Sequence, residues 1–178
     1  MTETELIENC KSGDGEAFRK LLNVYRKQLF GYLWRLGGSQ YAAEELFQET
    51  TIKIWKGLKN YNGKNKFSSW IFTIAHNTAM DSFRKKKNNE IEIDENTLLV
   101  SNYTPDQNIV KNENNVLINR AIKNLNMKQK EVFLLRQHSG MKFKEIAKVT
   151  DQPLNTVLSH MNYAVKKLRK ELEVINEH

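Results

Sequence analysis

Residues 141–168 have the apolar spacing of two short helices that cross at a tight turn, and this pattern constrains the fold more than any other part of the chain. Val157, Met161 and Ala164 recur at helical intervals, which predicts one buried helix face. Asp151 lies at the bend, where aspartate tolerates the left-handed conformation, and Pro153 suits the first turn of the second helix. The pattern predicts a helix-turn-helix, which inserts its second helix into the major groove of DNA. A helical hairpin that binds no nucleic acid is the alternative.

Helical periodicity also dominates the rest of the chain. Asp14 is the predicted N-cap of a helix that ends at Gly37 and Gly38. A second helix occupies about residues 43–58, and a third runs from 67 to 87 with Ser68 or Ser69 as its cap. Two more helices are expected over 116–125 and 128–137. The sequence contains no pattern typical of a β-strand, so we expect an all-α protein.

The charge of the chain is distributed in three blocks that coincide with this organisation. Residues 1–87 carry 15 Lys/Arg against 9 Asp/Glu, and residues 115–178 carry 12 against 6. Residues 88–114, which lack helical periodicity, carry 1 against 6. We therefore predict two small helical domains, 1–87 and 115–178, joined by a flexible acidic linker, 88–114. Two basic domains favour a polyanionic partner.

Composition and motifs argue against several classes of protein. A lone cysteine, Cys10, excludes a disulfide framework, and four scattered histidines give no metal-ligand spacing. The sequence contains no phosphate-binding loop or nucleophile–base pattern, so we expect neither an enzyme nor a bound metal or cofactor. No signal peptide and no long apolar run is visible, so we expect a cytoplasmic protein without membrane insertion.

Two further patterns carry functional information. Residues 53–87 contain nine Lys/Arg and one acid, interleaved with six aromatic residues. Cations that follow a phosphate backbone, together with rings on which bases stack, are typical of single-strand binding, although Trp55, Trp70 and Phe72 are better explained as core. Glu45, Gln48 and Glu49 form an acidic stripe whose charge suits a protein partner rather than DNA.

Taken in order, these motifs resemble the extracytoplasmic-function (ECF) group of the sigma-70 family of bacterial RNA polymerase sigma factors. The resemblance covers about residues 14–87 and 117–172. It is carried by AEELFQE (43–49), FSSWI (67–71) and IAHN (74–77) in the first domain, and by QKEVFLLR (129–136), EIA (145–147) and PLNTV (153–157) in the second.

The resemblance implies a promoter-specificity factor that binds core RNA polymerase and directs transcription initiation. The first domain (region 2) docks on the β′ clamp helices and captures the unpaired −10 element, whereas the second (region 4) reads the −35 element and binds the β flap. The family's docking positions correspond to Glu45, Leu46, Gln48 and Glu49. Its −10 positions correspond to Tyr61, Asn62, Lys64, Lys66, Phe67, His76, Asn77, Asp81, Arg84 and Lys85. The −35 face consists of Leu154, Asn155, Thr156, Ser159, His160 and Tyr163. An anti-sigma factor is a further implied partner.

The recognition helix departs from the family pattern. Leu158, His160, Tyr163 and Val165 occupy positions that are usually basic, which weakens the expected phosphate contacts. A leucine at 154 or 158 suits contact with a thymine methyl group. Two alternatives remain open from the residues: a self-sufficient dimeric helix-turn-helix regulator, and a degenerate sigma-like protein that binds polymerase without reading the −35 element.

Overall fold

The computed structural model describes residues 1–90 and 113–176, and every regular element in these two ranges is helical. The first range, which we call the N-lobe, contains α1 (Glu3–Lys11), α2 (Gly15–Gly37), α3 (Gln40–Gly57), a short 3₁₀ turn (Leu58–Asn60) and α4 (Phe67–Glu90). The second range, the C-lobe, contains α5 (Glu113–Lys123), α6 (Met127–Ser139), α7 (Phe143–Val149) and α8 (Leu154–Asn176). The prediction of an all-α fold is confirmed.

The boundaries of α2 and α3 follow from capping residues that were visible in the sequence. The Asp14 carboxylate accepts hydrogen bonds from the backbone N–H groups of Glu16 and Ala17, at 2.9 and 3.1 Å. At the other end, Gly38 adopts the left-handed conformation, with φ of 79°, and ends α2. Ser39 then caps α3 through the N–H of Ala42. The predicted interruption at Gly37 and Gly38 is therefore confirmed.

Other predicted boundaries were wrong. Helix α4 begins at Phe67, so neither Ser68 nor Ser69 is its cap, and it continues three residues beyond 87 to Glu90. Helix α5 begins at Glu113 rather than at 116. Both ends of the predicted linker (88–114) are therefore helical, and its remaining residues lie outside the described ranges.

Helix α1 was not predicted, although its signal is present in the sequence. The Thr2 hydroxyl accepts from the N–H of Glu5, and the Glu5 carboxylate accepts from the N–H of Thr2, which makes a reciprocal capping box. Leu6, Ile7 and Cys10 are buried against the N-lobe. The N-terminal residues are rich in acidic side chains, so the amphipathic pattern of this helix was not recognised in the sequence.

The C-lobe contains the predicted helix-turn-helix. Asn126 caps α6, and Gly140 ends it in the left-handed conformation. Asp151, at the bend between α7 and α8, has a φ of 51°, as expected for an aspartate at this turn. Val157 and Ala164 of α8 are fully buried, which confirms the predicted inner face of this helix.

The two lobes pack directly on each other, chiefly through α2 and α6. A Cβ atom built on Gly31 of α2 lies only 3.3 Å from Cε1 of His138 on α6, so a side chain at this position would force the His138 ring to shift. One turn further along α2, the Arg35 guanidinium donates to Asn119 Oδ1 at 2.9 Å and lies 3.1 Å from His138 Nε2. The hydrophobic cores of the lobes are therefore continuous.

Candidate nucleic-acid interface

The basic loop of the N-lobe opens onto a cleft of about 710 Å³. Asn62 Oδ1 accepts from the N–H of Lys64 at 3.0 Å, and Gly63 is left-handed with a φ of 73°, so the loop makes a tight turn. The turn leaves the side chains of Asn62, Lys64 and Lys66 exposed. Three of the predicted −10 residues therefore lie together at the rim of one cleft.

Tyr61 and Phe67, which flank this loop, occupy different environments. Tyr61 lines the cleft, and its hydroxyl donates to the carbonyl of Asn65 at 2.6 Å, which fixes the ring. Phe67 is 4% exposed and packs against Tyr25 and Trp70, with ring centroids 5.7 and 5.6 Å away. Phe67 also lines the cleft, at its inner end, so its contact with DNA stays a prediction.

The exposed face of α4 contains four predicted −10 residues: Asn77, Asp81, Arg84 and Lys85. Residues 77, 81 and 84 are spaced by helical turns and share this face. Arg84 lies 3.5 Å from the Asp81 carboxylate in an exposed ion pair, which holds the guanidinium near the helix surface. This face presents both hydrogen-bond donors and acceptors to a partner.

His76, which was also predicted to contact DNA, is 3% exposed, so this prediction is corrected. Its Nδ1 atom lies 3.0 Å from the hydroxyl of the buried Tyr32 of α2. Burial, together with a smaller effect of the Lys128 charge, lowers the pKa of His76 to about 4, so the imidazole is neutral near pH 7. A neutral, hydrogen-bonded ring between α4 and α2 has a structural role.

The predicted −35 residues lie around a second, shallower depression on the C-lobe. Asn155 and Ser159 are exposed, Tyr163 is 60% exposed, and Leu154, Thr156 and His160 are half-buried. Asn155, Thr156, Ser159, His160 and Tyr163 line the depression together with Asn126 and Gln129 from the start of α6. The last two were not predicted, since the sequence gives no indication that the N-terminus of α6 lies beside α8.

The acidic stripe on α3 is exposed, with one exception. Glu45, Gln48 and Glu49 face solvent, whereas Leu46 is 3% exposed and packs beside Gly37. Leu46 therefore belongs to the core, and its prediction as a docking contact is corrected. A matched family motif includes residues from both faces of a helix, so the motif alone did not separate them.

Two exposed apolar residues on the same stripe were missed by the sequence reading. Tyr41 is 70% exposed and Ile52 is 49% exposed, and their spacing places them in line with Glu45 and Gln48 on α3. Trp55 ends the line and packs against Phe18 at 4.9 Å. We call Tyr41, Glu45, Gln48, Ile52 and Trp55 the α3 stripe. A large apolar residue at each end of an acidic surface is typical of a protein-binding face.

The described ranges contain neither a metal-binding cluster nor a membrane-spanning helix. No cluster of three or more His, Cys, Asp or Glu side chains in residues 1–90 and 113–176 could hold a metal ion. Within the same ranges, every helix is too short or too polar to cross a lipid bilayer.

Comparison with known proteins matches both lobes to one family. Residues 21–89 match the profile of Sigma-70 region 2, and residues 115–168 match that of Sigma-70, region 4. The ECF RNA polymerase sigma factor SigW of Bacillus subtilis is 27% identical over 93% of this chain and 94% of its own. The ECF RNA polymerase sigma-E factor of Haemophilus influenzae is 27% identical over 97% of this chain and 96% of its own.

Solved structures share the fold. The sigma factor RpoE of Bartonella quintana, in complex with the anti-sigma factor NepR, superposes with a TM-score of 0.71 at 21% identity, over 88% of this chain and 97% of RpoE. CnrH, in complex with the cytosolic domain of CnrY, superposes with a TM-score of 0.67 at 20% identity, over 97% of each chain.

Proposed function

Because the chain belongs to the ECF group of the sigma-70 family and is a promoter-specificity factor for transcription initiation, we propose a role for each of its surfaces. The first domain, residues 1–87, docks on core polymerase and captures the −10 element. The second domain, residues 115–178, reads the −35 element as duplex DNA and binds the β flap. Residues 88–114 connect the two.

The −10 element is captured at the cleft beside the basic loop. Lys64 and Lys66 are exposed at its rim, where they can neutralise phosphates, and the fixed ring of Tyr61 lines its wall. Cations beside an aromatic ring are the combination that binds single-stranded nucleic acid. Asn77 and Arg84 on α4 extend this surface. The main support for the proposal is that exposed lysines lie at the rim of a cleft whose wall contains an aromatic ring.

The −35 element is read by the exposed polar face of α8. Asn155 and Ser159 have free access to a major groove, and amide side chains pair with adenine through its N6 and N7 atoms. Leu158, also exposed on this helix, suits a thymine methyl group. Since this face carries few cations, we expect base contacts to contribute more than phosphate contacts here.

Core polymerase binds the α3 stripe. Glu45 and Gln48 supply hydrogen-bond acceptors, and Tyr41 and Ile52 supply apolar anchors at either side of them. Aromatic anchors surrounded by polar groups are typical of the residues that dominate protein–protein affinity. The clamp helices of the β′ subunit are the partner that the family resemblance indicates for this face.

Magnitudes indicate that the chain cannot open a promoter without polymerase. Unpairing costs about 1.4 kcal/mol per base-pair step, so a bubble of about ten pairs costs on the order of 14 kcal/mol. Stacking returns about 1–3 kcal/mol per captured base, and a cleft of this size accommodates only two or three bases. The remaining free energy needed to unpair the DNA must come from interactions with the polymerase.

An anti-sigma factor covers the α3 stripe when the protein is inactive. Tyr41, Ile52 and Trp55 place exposed apolar surface along one face of α3, and apolar surface grouped among polar residues in this way is typical of a partner-binding site. RpoE and CnrH, which share this fold, were solved as complexes with NepR and with the cytosolic domain of CnrY. Because its template and polymerase lie in the cytoplasm of a bacterium, we place this protein there.

Run-off transcription on genomic fragments tests the proposed function. The full chain added to core polymerase should produce discrete transcripts whose start sites share upstream elements near −10 and −35. Sedimentation should show a monomer that co-migrates with core polymerase. A dimer that binds a palindrome and leaves the polymerase unaffected would instead establish the self-sufficient regulator.

A further inference from the structure

His138 of α6 lies in the contact between the two lobes, and neither the promoter-binding surfaces nor the α3 stripe includes it. Its ring is half-buried, and its Nε2 atom lies 3.1 Å from Nη1 of Arg35 on α2. The same guanidinium donates through Nε to Oδ1 of Asn119 on α5 at 2.9 Å. Arg35 of the N-lobe therefore binds two residues of the C-lobe, and one of these two can gain a proton.

The contact between Arg35 and His138 requires a neutral imidazole. A guanidinium has only hydrogen-bond donors, so Nε2 of His138 must accept and the ring proton must lie on Nδ1. Protonation of Nε2 would remove the acceptor and place two positive charges 3.1 Å apart. Burial, with a smaller effect of the Arg35 charge, lowers the pKa of His138 to about 4 in the packed protein. Separation of the lobes removes both causes, so the pKa should return toward its ordinary value of about 6.5.

The ionisable groups that α2, α4 and α5 bring to this contact are neutral or positive. Tyr32 of α2, whose ring centroid lies 6.2 Å from that of His138, is fully buried, and burial raises its pKa, so it stays neutral. His76 of α4 lies against the Tyr32 hydroxyl, and its pKa is lowered in part by Lys128 of the C-lobe, so separation favours its protonation too. Lys123 of α5 lines a small gap beside Arg35 and adds a further cation.

Glu131 of α6 acts in the opposite direction. Its carboxylate is buried and burial raises its pKa, whereas Lys128, whose ammonium is 3.5 Å away, lowers it in part. As the pH falls, the packed form therefore takes up a proton at Glu131 more readily than the separated form does. Position 131 lies about 10 Å from His138 along the helix axis, so this carboxylate does not pair with the imidazole. A variant without the carboxylate removes the opposition.

We propose that the contact between Arg35 and His138 is a pH-sensitive switch: acidification protonates His138, breaks the contact and releases the C-lobe from the N-lobe. Histidine is the side chain whose charge changes most readily in this range of pH. A change of the His138 pKa from about 4 to about 6.5 on separation increases the ratio of separated to packed molecules about tenfold between pH 7.5 and 5.5. A fall in pH therefore increases the fraction of molecules whose lobes can bind separate promoter elements, and this last step rests on the proposed function.

A thiol placed in the lobe contact measures this release in the full chain. Ile122 of α5 is 2% exposed and lines a small gap together with Trp34 and Arg35 of α2, so Ile122→Cys introduces a thiol that the packing protects. Its rate of reaction with 4,4′-dithiodipyridine is compared between this variant and the same variant carrying His138→Gln. The glutamine amide can still accept from Arg35 but does not titrate. The buried Cys10 of the N-lobe reports global unfolding in the same reaction.

The ratio of the two labelling rates cancels the pH dependence of the thiol itself. From pH 7.5 to 5.5 this ratio should rise about tenfold in favour of the chain that keeps His138, while Cys10 stays unreactive. His160→Gln removes a histidine of α8 outside the lobe contact and should preserve the rise, and Glu131→Gln should preserve or enlarge it. A ratio that does not change with pH would overturn the inference. Labelling of Cys10 at the same rate would show unfolding rather than release and would also contradict it.

The affinity for core polymerase separates this inference from the proposed function. Between pH 7.5 and 5.5 the wild-type chain should gain about tenfold more affinity than His138→Gln, because polymerase binds the molecules whose lobes are separated. If the wild-type chain binds polymerase but the labelling ratio stays constant, the inference alone fails. If the labelling ratio rises but the chain binds no polymerase at either pH, the switch is supported and the proposed function fails.

Discussion

Replacing Gly31 by leucine should separate the N-lobe from the C-lobe without unfolding either. At this position a Cβ atom already lies 3.3 Å from Cε1 of His138, which is closer than an ordinary van der Waals contact. A full isobutyl group would occupy the space of the His138 ring. Since α2 and α6 form the main contact between the lobes, the clash occurs where the packing depends on close approach.

The two effects of this substitution have opposite signs. Overpacking costs about 1–3 kcal/mol, and loss of the Arg35 contacts to Asn119 and His138 costs about 1 kcal/mol each, so lobe packing is weakened by roughly 3–5 kcal/mol. Inside α2 itself, exchanging glycine for leucine favours the helix by about 0.8 kcal/mol. Gly31→Leu should therefore stabilise the N-lobe slightly while opening the molecule.

Small-angle X-ray scattering measures this opening directly. A compact chain of this length has a radius of gyration of about 16 Å, which the wild-type protein should show and Gly31→Leu should clearly exceed. Gly15→Leu is the matched control, because a Cβ on Gly15 meets no atom within 4 Å. If Gly31→Leu scatters like the wild type, the contact between α2 and α6 does not hold the lobes together.

Opening should also increase the affinity for core polymerase. Elements centred near −10 and −35 lie about 25 base pairs apart, or about 80 Å, whereas the packed protein is only about 40 Å across. The lobes must therefore separate on a promoter, and the packing of one lobe on the other reduces the fraction of molecules that can bind polymerase and promoter. Weakening it by about 3 kcal/mol should tighten polymerase binding by as much as about 100-fold. Unchanged affinity would show that packing does not limit assembly.

Three further substitutions or conditions give distinct outcomes. His76 and His138 both have pKa values lowered, chiefly by burial, to about 4, below the unfolded value of 6.5. The stability that they contribute is therefore complete above about pH 6.5 and is lost as the pH falls toward 4, by up to about 3 kcal/mol per histidine. Urea midpoints that stay constant from pH 7.5 to 5 would contradict this prediction. Glu131 is buried, and its Oε2 makes no hydrogen bond but lies 3.5 Å from the ammonium of the exposed Lys128; burial raises its pKa and Lys128 lowers it in part. Glu131→Gln should stabilise the protein at pH 7 by about 1 kcal/mol in urea unfolding, because burial of the charge outweighs its attraction to Lys128, whereas destabilisation would show that the ion pair compensates the charge. Tyr41→Ala should weaken the binding of core polymerase by more than 1 kcal/mol in a titration. Val24 is an exposed apolar residue of α2, and Val24→Ala should leave this affinity unchanged. Equal effects of the two substitutions would show that the α3 stripe is not part of the interface.

The sequence predicted the helix-turn-helix well because each of its features is local. The left-handed Asp151 and Gly140 are properties of residue types at turns, and the inner face of α8 follows from spacing within one helix. The burial of Phe67 and His76 was not predicted, since a family motif contains both faces of a helix. The packing of Gly31 on His138 joins residues more than a hundred positions apart, and no periodic signal relates them.

Permanganate footprinting of a cognate promoter tests the central claim most directly. With the full chain and core polymerase together, thymines around the −10 element should become reactive, and with either component alone they should stay protected. Reactive thymines with this protein alone, or none with both components, would contradict the claim that the two lobes hold a promoter open only as part of the polymerase.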